Sequence, residues 1–240
     1  MKGYIDMHCH ILPGIDDGAK DLDKTRQMLQ RAYREGIRTI VATPHHHEDE
    51  KRGKPSIEQI AGAFSKVNHL IDEAFPEMTI LPGMEIYYTS QAVRDYKAGK
   101  LLYMGASEFV LLEFSPFDTA MRITDGVKTF QMMGAGVIIA HAERYEALRK
   151  DIDAVRHLKN MGARIQVNAS SLEKGRLSTL GRVLRAWMDE DLIDFVGTDA
   201  HDDRVRPPTI KKALGKVEKT FGRAYAREIF LENAKEILFP

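Results

Sequence analysis

Seven short apolar runs recur along this chain of 240 residues, and each gives way, at or just past its C-terminal edge, to a His, Asp, Glu or Asn. Tyr4 to Met7 runs into His8-Cys9-His10, Ile37 to Ala42 into Thr43-Pro44-His45, and Met78 to Leu81 into Gly83-Met84-Glu85. Glu108 to Leu112 ends at Glu113, Gly136 to Ala140 at His141, Arg164 to Val167 at Asn168, and Asp194 to Gly197 at Thr198-Asp199-Ala200-His201. Runs this short, bounded by turn residues, predict buried strands. Between them lie stretches of helical period. Leu22, Thr25, Leu29, Ala32 and Tyr33 precede the stop signal Gly36, and Ile57 to Ile71 follows Ser56 as a predicted N-cap. Ile152, Val155, Leu158 and Met161 are closed by Gly162, Leu180 to Trp187 gives another helix, and Arg223 to Ile237 predicts a last one, packed outside. Strand–helix alternation predicts parallel strands joined by crossover helices. One polar residue after a strand is ordinary. The same event on every strand predicts a closed (β/α) barrel, whose C-terminal rim gathers such residues into one site.

Length and composition agree with that fold. With 43% hydrophobic residues the chain suits one domain, and no boundary interrupts it; His46 to Ser56 reads as a charged, solvated loop. A single cysteine, Cys9, precludes an internal disulfide and fits a reducing compartment. Thirty-five basic residues balance 35 acidic ones, so nothing favours nucleic acid or an anionic membrane. The polar start of the chain argues against a signal peptide, and no apolar run reaches the ~20 residues of a membrane helix. A cytoplasmic protein without membrane insertion is expected.

The strand-end residues supply the chemistry. His8 and His10 are two apart on a strand and share a face, whereas Cys9 points to the other. An HxH is weak alone. It gains weight from Asp199-Ala200-His201 on the last strand, which closure would set beside the first. Asp16 reads as a turn residue and Asp17 as a ligand candidate after the HxH strand. Pro44 keeps His45 near its strand end, while His46 and His47 read as loop residues. Glu85 and Glu113 would be costly at buried strand ends unless paired or holding a cation. Arg144, beside Glu143, reads either as half of a surface ion pair or as facing the site. The candidates are then His8, His10, Asp17, His45, Glu85, Glu113, His141, Asp199 and His201. That exceeds what one metal needs and fits two or three, the arrangement that promotes displacement at phosphorus.

These residues resemble the PHP (polymerase and histidinol phosphatase) metallohydrolases, and within them the manganese-dependent protein-tyrosine phosphatases of bacterial capsule and exopolysaccharide operons. The resemblance is carried by Asp6-Met7-His8-Cys9-His10, Asp16-Asp17-Gly18, Thr43-Pro44-His45, Gly83-Met84-Glu85-Ile86-Tyr87-Tyr88, Leu111-Leu112-Glu113-Phe114-Ser115, Ala140-His141-Ala142-Glu143-Arg144-Tyr145, Gln166-Val167-Asn168 and Thr198-Asp199-Ala200-His201 with Arg206-Pro207-Pro208. It implies a distorted seven-stranded TIM-like barrel spanning residues 1–240 as a single metallophosphatase domain. It implies that His8, His10, Glu85 and Asp199 hold one ion, that Glu85 bridges to a second completed by Glu113 and His141, and that Asp17, His45 and His201 hold a third. Arg144 and Arg206 would bind the substrate phosphate, with Asp199 serving catalysis beside them. The ions expected are Mn2+, with Fe, Zn or Mg as alternatives. The expected partner is a phosphotyrosine protein, an autophosphorylating bacterial tyrosine kinase.

Other chemistries fit less well. A cysteine-based tyrosine phosphatase is excluded, because Ile15 stands where its phosphate-binding arginine would follow Cys9. An amidohydrolase would bridge its metals with a strand-end lysine, and none occurs. A small-molecule phosphomonoesterase such as histidinol phosphatase would share every ligand. A catalytically silent metal-binding barrel would tend to lose some of them.

Overall fold

A computed structural model describes residues 3–49, 53–175 and 177–239. In chain order, β1 (Tyr4–Cys9) leads to α1 (Leu22–Glu35), β2 (Ile37–Ala42), β3 (His45–His46), α2 (Ile57–Ala74), β4 (Thr79–Pro82), β5 (Glu85–Tyr87) and α3 (Ser90–Lys97). Then come β6 (Phe109–Glu113), α4 (Ala120–Gln131), β7 (Gly136–Ile139), a 3-10 turn (Ala142–Arg144), α5 (Glu146–Lys150) and α6 (Ile152–Asn160). The chain continues with β8 (Arg164–Asn168), α7 (Ala169–Leu172), α8 (Thr179–Asp189), β9 (Phe195–Gly197), α9 (Lys211–Arg227), a π-helical turn (Glu228–Glu232) and α10 (Asn233–Leu238).

The caps follow the sequence closely. Asp21 caps α1 by accepting from the Lys24 N–H, and Gly36 ends the helix in the left-handed region, at φ 87°. Ser56 and Gln59 form a reciprocal capping box on α2.

Every strand pairing is parallel. The order is β1-β2-β4 in one sheet and β3-β5-β6-β7-β8-β9 in a second. The second and third apolar runs each break into two strands, because Thr43-Pro44 separates β2 from β3 and Gly83-Met84 separates β4 from β5. Proline removes a ladder donor and forces an extended neighbour, which explains the first break. The outer strands also meet: the Asp199 N–H donates to the His8 carbonyl (2.7 Å) and the His10 N–H to the Ala200 carbonyl (2.9 Å). The approach needs Gly197, where a Cβ would lie 2.6 Å from His8 Cβ.

Two apolar layers result. Cys9, Ile40, Val110, Val137 and Val167 face the helices, while Ile5, Met7, Val41, Leu111, Ile138 and Phe195 fill the inside of the curled sheet. The terminal segment differs from expectation. Helix α9 starts earlier than predicted, and Leu231, Ala234 and Leu238 plug the inner layer instead of packing outside. His46 differs too, being a buried member of β3 and not part of a solvated loop. It pairs with Asp95 of α3 at 3.1 Å, and Lys54 reaches the same carboxylate at 2.7 Å. No helix among the described residues is long and apolar enough to cross a membrane.

Candidate metal centre

The strand ends bring all nine candidate ligands together, all buried except the more exposed Asp17. His8 and His10 share a face, with their Nε2 atoms 3.2 Å apart, and each lies 3.3 Å from Glu85 Oε2. A register irregularity between Asp6 and Cys9 in β1 lets the interior side pass from Met7 to His8. Asp199 Oδ1 approaches the same two imidazoles at 3.7 and 3.6 Å. Glu85 Oε1 meets His141 Nε2 at 2.8 Å, with Glu113 at 3.8 Å. Asp17 Oδ1 lies 3.4 Å from the Nε2 atoms of both His45 and His201.

Four of the five imidazoles have their other nitrogen beside a further polar group, which for His201 is the backbone of a cluster residue. His10 Nδ1 lies 2.7 Å from Asp16 Oδ2, His8 Nδ1 3.2 Å from Gln166 Oε1, and His201 Nδ1 3.0 Å from the Asp199 carbonyl. Oxygens of these kinds accept, so each Nδ1 donates and each Nε2 turns its lone pair inward, which is how protein second shells prepare metal-ligating histidines. The Tyr145 hydroxyl stands 3.4 Å from His141 Nδ1. His45 differs, presenting Nδ1 to Glu85 Oε2 at 3.0 Å and Nε2 to Asp17. Gln166 extends the outer net by accepting from the His141 N–H and donating to Asn168, which donates to Asp199.

Two cluster residues occupy the left-handed region although neither is glycine: His141 at φ 30° and Asp199 at φ 52°. Such backbone costs on the order of 1–3 kcal/mol per residue and collects at functional sites. Each lies two residues past the end of its strand, β7 for His141 and β9 for Asp199.

The charges describe a centre that demands a cation. Burial opposes the charge on Glu85, but His8 and His45 outweigh it and hold the carboxyl well below its ordinary range. Burial likewise works against Asp199, and His8, His10 and Arg144 outweigh it. The imidazoles move the other way. Burial disfavours protonating His45, yet Glu85 pushes its pKa up to about 9. His10 is raised well above its usual value by Asp16 against the same burial penalty. Two buried atoms, His45 Nδ1 and Glu85 Oε2, face each other without a hydrogen bond. Lone pairs and ionised carboxylates converging on one point suit a divalent cation, which would supply there the positive charge that protons otherwise provide.

Both arginines face this centre. Arg144 Nη2 lies 2.7 Å from Asp199 Oδ2 and Arg206 Nη2 2.7 Å from Asp199 Oδ1. The reading of Arg144 as half of a surface pair is therefore set aside: Glu143 is buried beneath, accepting from the Asn168 N–H, and Glu146 pairs with Lys150. Asp16, Gln166 and Tyr145 were not among the candidates. The motif around Asp16-Asp17-Gly18 was the one available signal for Asp16, and it also described an ordinary turn. Gly18 packs so closely that a Cβ there would meet the His10 carbonyl at 2.2 Å.

The chain matches the CpsB/CapC family, described as capsular polysaccharide synthesis, over residues 4–239. It is 33% identical over 239 residues to the tyrosine-protein phosphatase CpsB of Streptococcus agalactiae serotype V, covering 98% of both chains. It is 35% identical over 240 residues to the tyrosine-protein phosphatase YwqE of Bacillus subtilis, covering 98% of this chain and 91% of that one. Among solved structures it resembles, with a TM-score of 0.88 and 32% identity over 98% of this chain and 94% of the other, one from work on YwqE of Bacillus subtilis and CpsB of Streptococcus pneumoniae, described as unique metal-dependent tyrosine phosphatases. A histidinol phosphate phosphatase from Lactococcus lactis shares the fold at 15% identity, with a TM-score of 0.61, 90% of this chain and 93% of that one. On sequence over nearly its whole length, the chain belongs to the CpsB/CapC family.

Proposed function

We propose that this protein is a metal-dependent phosphatase of protein phosphotyrosine, acting in a single domain built as a distorted seven-stranded barrel. Counting β2 with β3 and β4 with β5 as interrupted strands reduces nine segments to seven, and the β9–β1 hydrogen bonds support closure. The observation that carries the reading is the convergence of nine donors, in a pocket without lysine, with two arginines aimed at the same carboxylate. The relatives named as tyrosine phosphatases, matched end to end at about one third identity, favour phosphotyrosine over other phosphomonoesters.

In this reading His8, His10, Glu85 and Asp199 hold one ion, Glu85, Glu113 and His141 a second, and Asp17, His45 and His201 a third. The grouping of His8, His10 and Glu85, and that of His10, Asp17, His45 and His201, support the first and third, and His141 lies 2.8 Å from Glu85 in the second. When bound, the ions supply Lewis acidity and lower the pKa of water. The protein supplies the rest. Asp16, Gln166 and Tyr145 fix the imidazoles, and the two guanidinium forks exchange Asp199 for phosphoryl oxygens, which they can pair two at a time. A tyrosine phenol, with a pKa of about 10, leaves more easily than a serine alkoxide. The set joins four carboxylates, which suit manganese, to five imidazoles and holds no thiolate. A cytoplasmic setting and an autophosphorylating bacterial tyrosine kinase as substrate complete the proposal.

Steady-state kinetics on phosphotyrosine, phosphoserine and histidinol phosphate side by side, with manganese and after chelation, test it. Metal-dependent turnover with the highest kcat/KM on phosphotyrosine is expected. A preference for histidinol phosphate, or activity indifferent to chelation, removes the reading.

A further inference from the structure

Beside the donor cluster lies a second cavity of about 290 Å3, and the two share Glu113, His141 and Arg144 as lining residues. Its other walls are of a different kind. The rings of His47 and Tyr87 stand 4.2 Å apart at 42°, and Phe114 and Tyr145 meet edge to face at 5.8 Å. Pro116 forms part of the lining, and next to it Phe117 is 83% exposed. The cavity therefore runs from a phosphate-binding end, marked by Arg144, to an aromatic end.

We propose that this cavity is the subsite for the phenol ring of the substrate, and that Tyr87 and His47 select aryl over alkyl phosphomonoesters. The inference rests on the phosphatase reading above and deepens it. In an aryl phosphate one ester oxygen separates ring from phosphorus, so the ring must occupy space directly adjoining the arginines. This cavity adjoins them and carries aromatic surface. Aromatic rings pack favourably in offset and perpendicular arrangements, and the rings of His47 and Tyr87 both line this cavity. An alkyl phosphate such as phosphoserine leaves the aromatic end of the cavity unfilled.

Neither Tyr87 nor His47 belongs to the donor set, and both are only half-buried, so truncating them spares the core. The test compares Tyr87→Ala and His47→Ala with the wild-type manganese enzyme on phosphotyrosine and phosphoserine, with melting temperature and metal content as controls. Losing one ring contact is expected to lower kcat/KM on phosphotyrosine about three- to tenfold, mainly through KM, and leave phosphoserine unchanged. A competition assay adds a readout of binding. Phenylphosphonate should inhibit the wild type more strongly than methylphosphonate, and that ratio should collapse in Tyr87→Ala. Equal losses on both substrates, no loss on either, or equal inhibition by the two phosphonates overturns the subsite while leaving the phosphatase intact. A wild-type enzyme inert toward phosphotyrosine but active on phosphoserine overturns both.

Discussion

Asp16 Oδ2 lies 2.7 Å from Nδ1 of His10, and the same oxygen accepts the His45 N–H at 3.0 Å. One buried carboxylate thus fixes the tautomer of one donor and the backbone of another. Burial resists its charge, but His10 outweighs that and holds Asp16 below the ordinary carboxylate range.

Asp16→Asn keeps one acceptor oxygen where the carboxylate offers two, one to the Gly18 N–H and one to the His45 N–H, and removes the charge opposite His10. The variant is expected to fold and to bind manganese about 10–100-fold more weakly, the range found for second-shell changes. Isothermal titration with Mn2+ checks this, and wild-type affinity would show that Asp16 is only a turn residue.

Arg144→Lys and Arg206→Lys keep the positive charge opposite Asp199 but lose the fork. Each is expected to lose tenfold or more in kcat/KM on phosphotyrosine, about 1.4 kcal/mol, with melting temperature and metal content near wild type. A surface ion pair worth about 0–1 kcal/mol would not produce that pattern.

Chelation should remove both activity and stability. A ligand at one hundred times its Kd adds about 2.7 kcal/mol to a state that alone binds it. Differential scanning fluorimetry is expected to show the melting temperature rising with added Mn2+, and elemental analysis more than one ion per chain. A flat melting curve would contradict a metal-linked centre.

Cys9 is fully buried on the helix side of β1, with Sγ 3.9 Å from the Ala200 carbonyl. Cys9→Ser should leave kcat and metal content unchanged. Loss of turnover at constant metal content would mean that this side chain reaches the reaction after all.

Asp95 offers a pH test away from the donors. Its desolvation favours the neutral form, but the hydrogen bonds from Lys54, Gln91 and His46 prevail and draw its pKa from 3.8 to about 2. A folded value below the unfolded one stabilises fully above about pH 4, and that contribution fades as pH falls toward 2. Asp95→Asn should therefore melt below wild type at pH 7, and the gap should shrink on titration from pH 5 toward 3. A gap independent of pH would assign Asp95 a purely steric role.

Eight of the nine candidate ligands are legible because they stand at or just past the end of an apolar run, where burial of charge has few explanations; Asp17, in an exposed turn, is the exception. Glu85 and Glu113 stood out for that reason. What escaped was set by distance in sequence. Gln166 reaches His8 across 158 positions, and Tyr145 looks like any core aromatic until His141 lies beside it. His46 looks solvated within HHEDEKRGKPS, whereas the partner that buries it, Asp95, sits 49 residues away on α3. The breaks at Thr43-Pro44 and Gly83-Met84 were written in the sequence, yet their effect on strand count depends on the neighbouring ladders.

The seam between β1 and β9 has a consequence for biogenesis. The Thr198 hydroxyl donates to Asp6 across 192 positions, and the Asp199 N–H reaches the His8 carbonyl alongside. A growing chain released up to β8 carries His8 and His10 but neither Asp199, His201 nor Arg206. Long-range contacts of this kind form late and slowly, after most of the loop-closure entropy has been spent. The donor cluster and its two arginines are therefore incomplete until β9 and the loop after it have joined the sheet. The docking of the last strand against the first thus joins two tasks in one event, because the same contacts that close the seam complete the donor cluster.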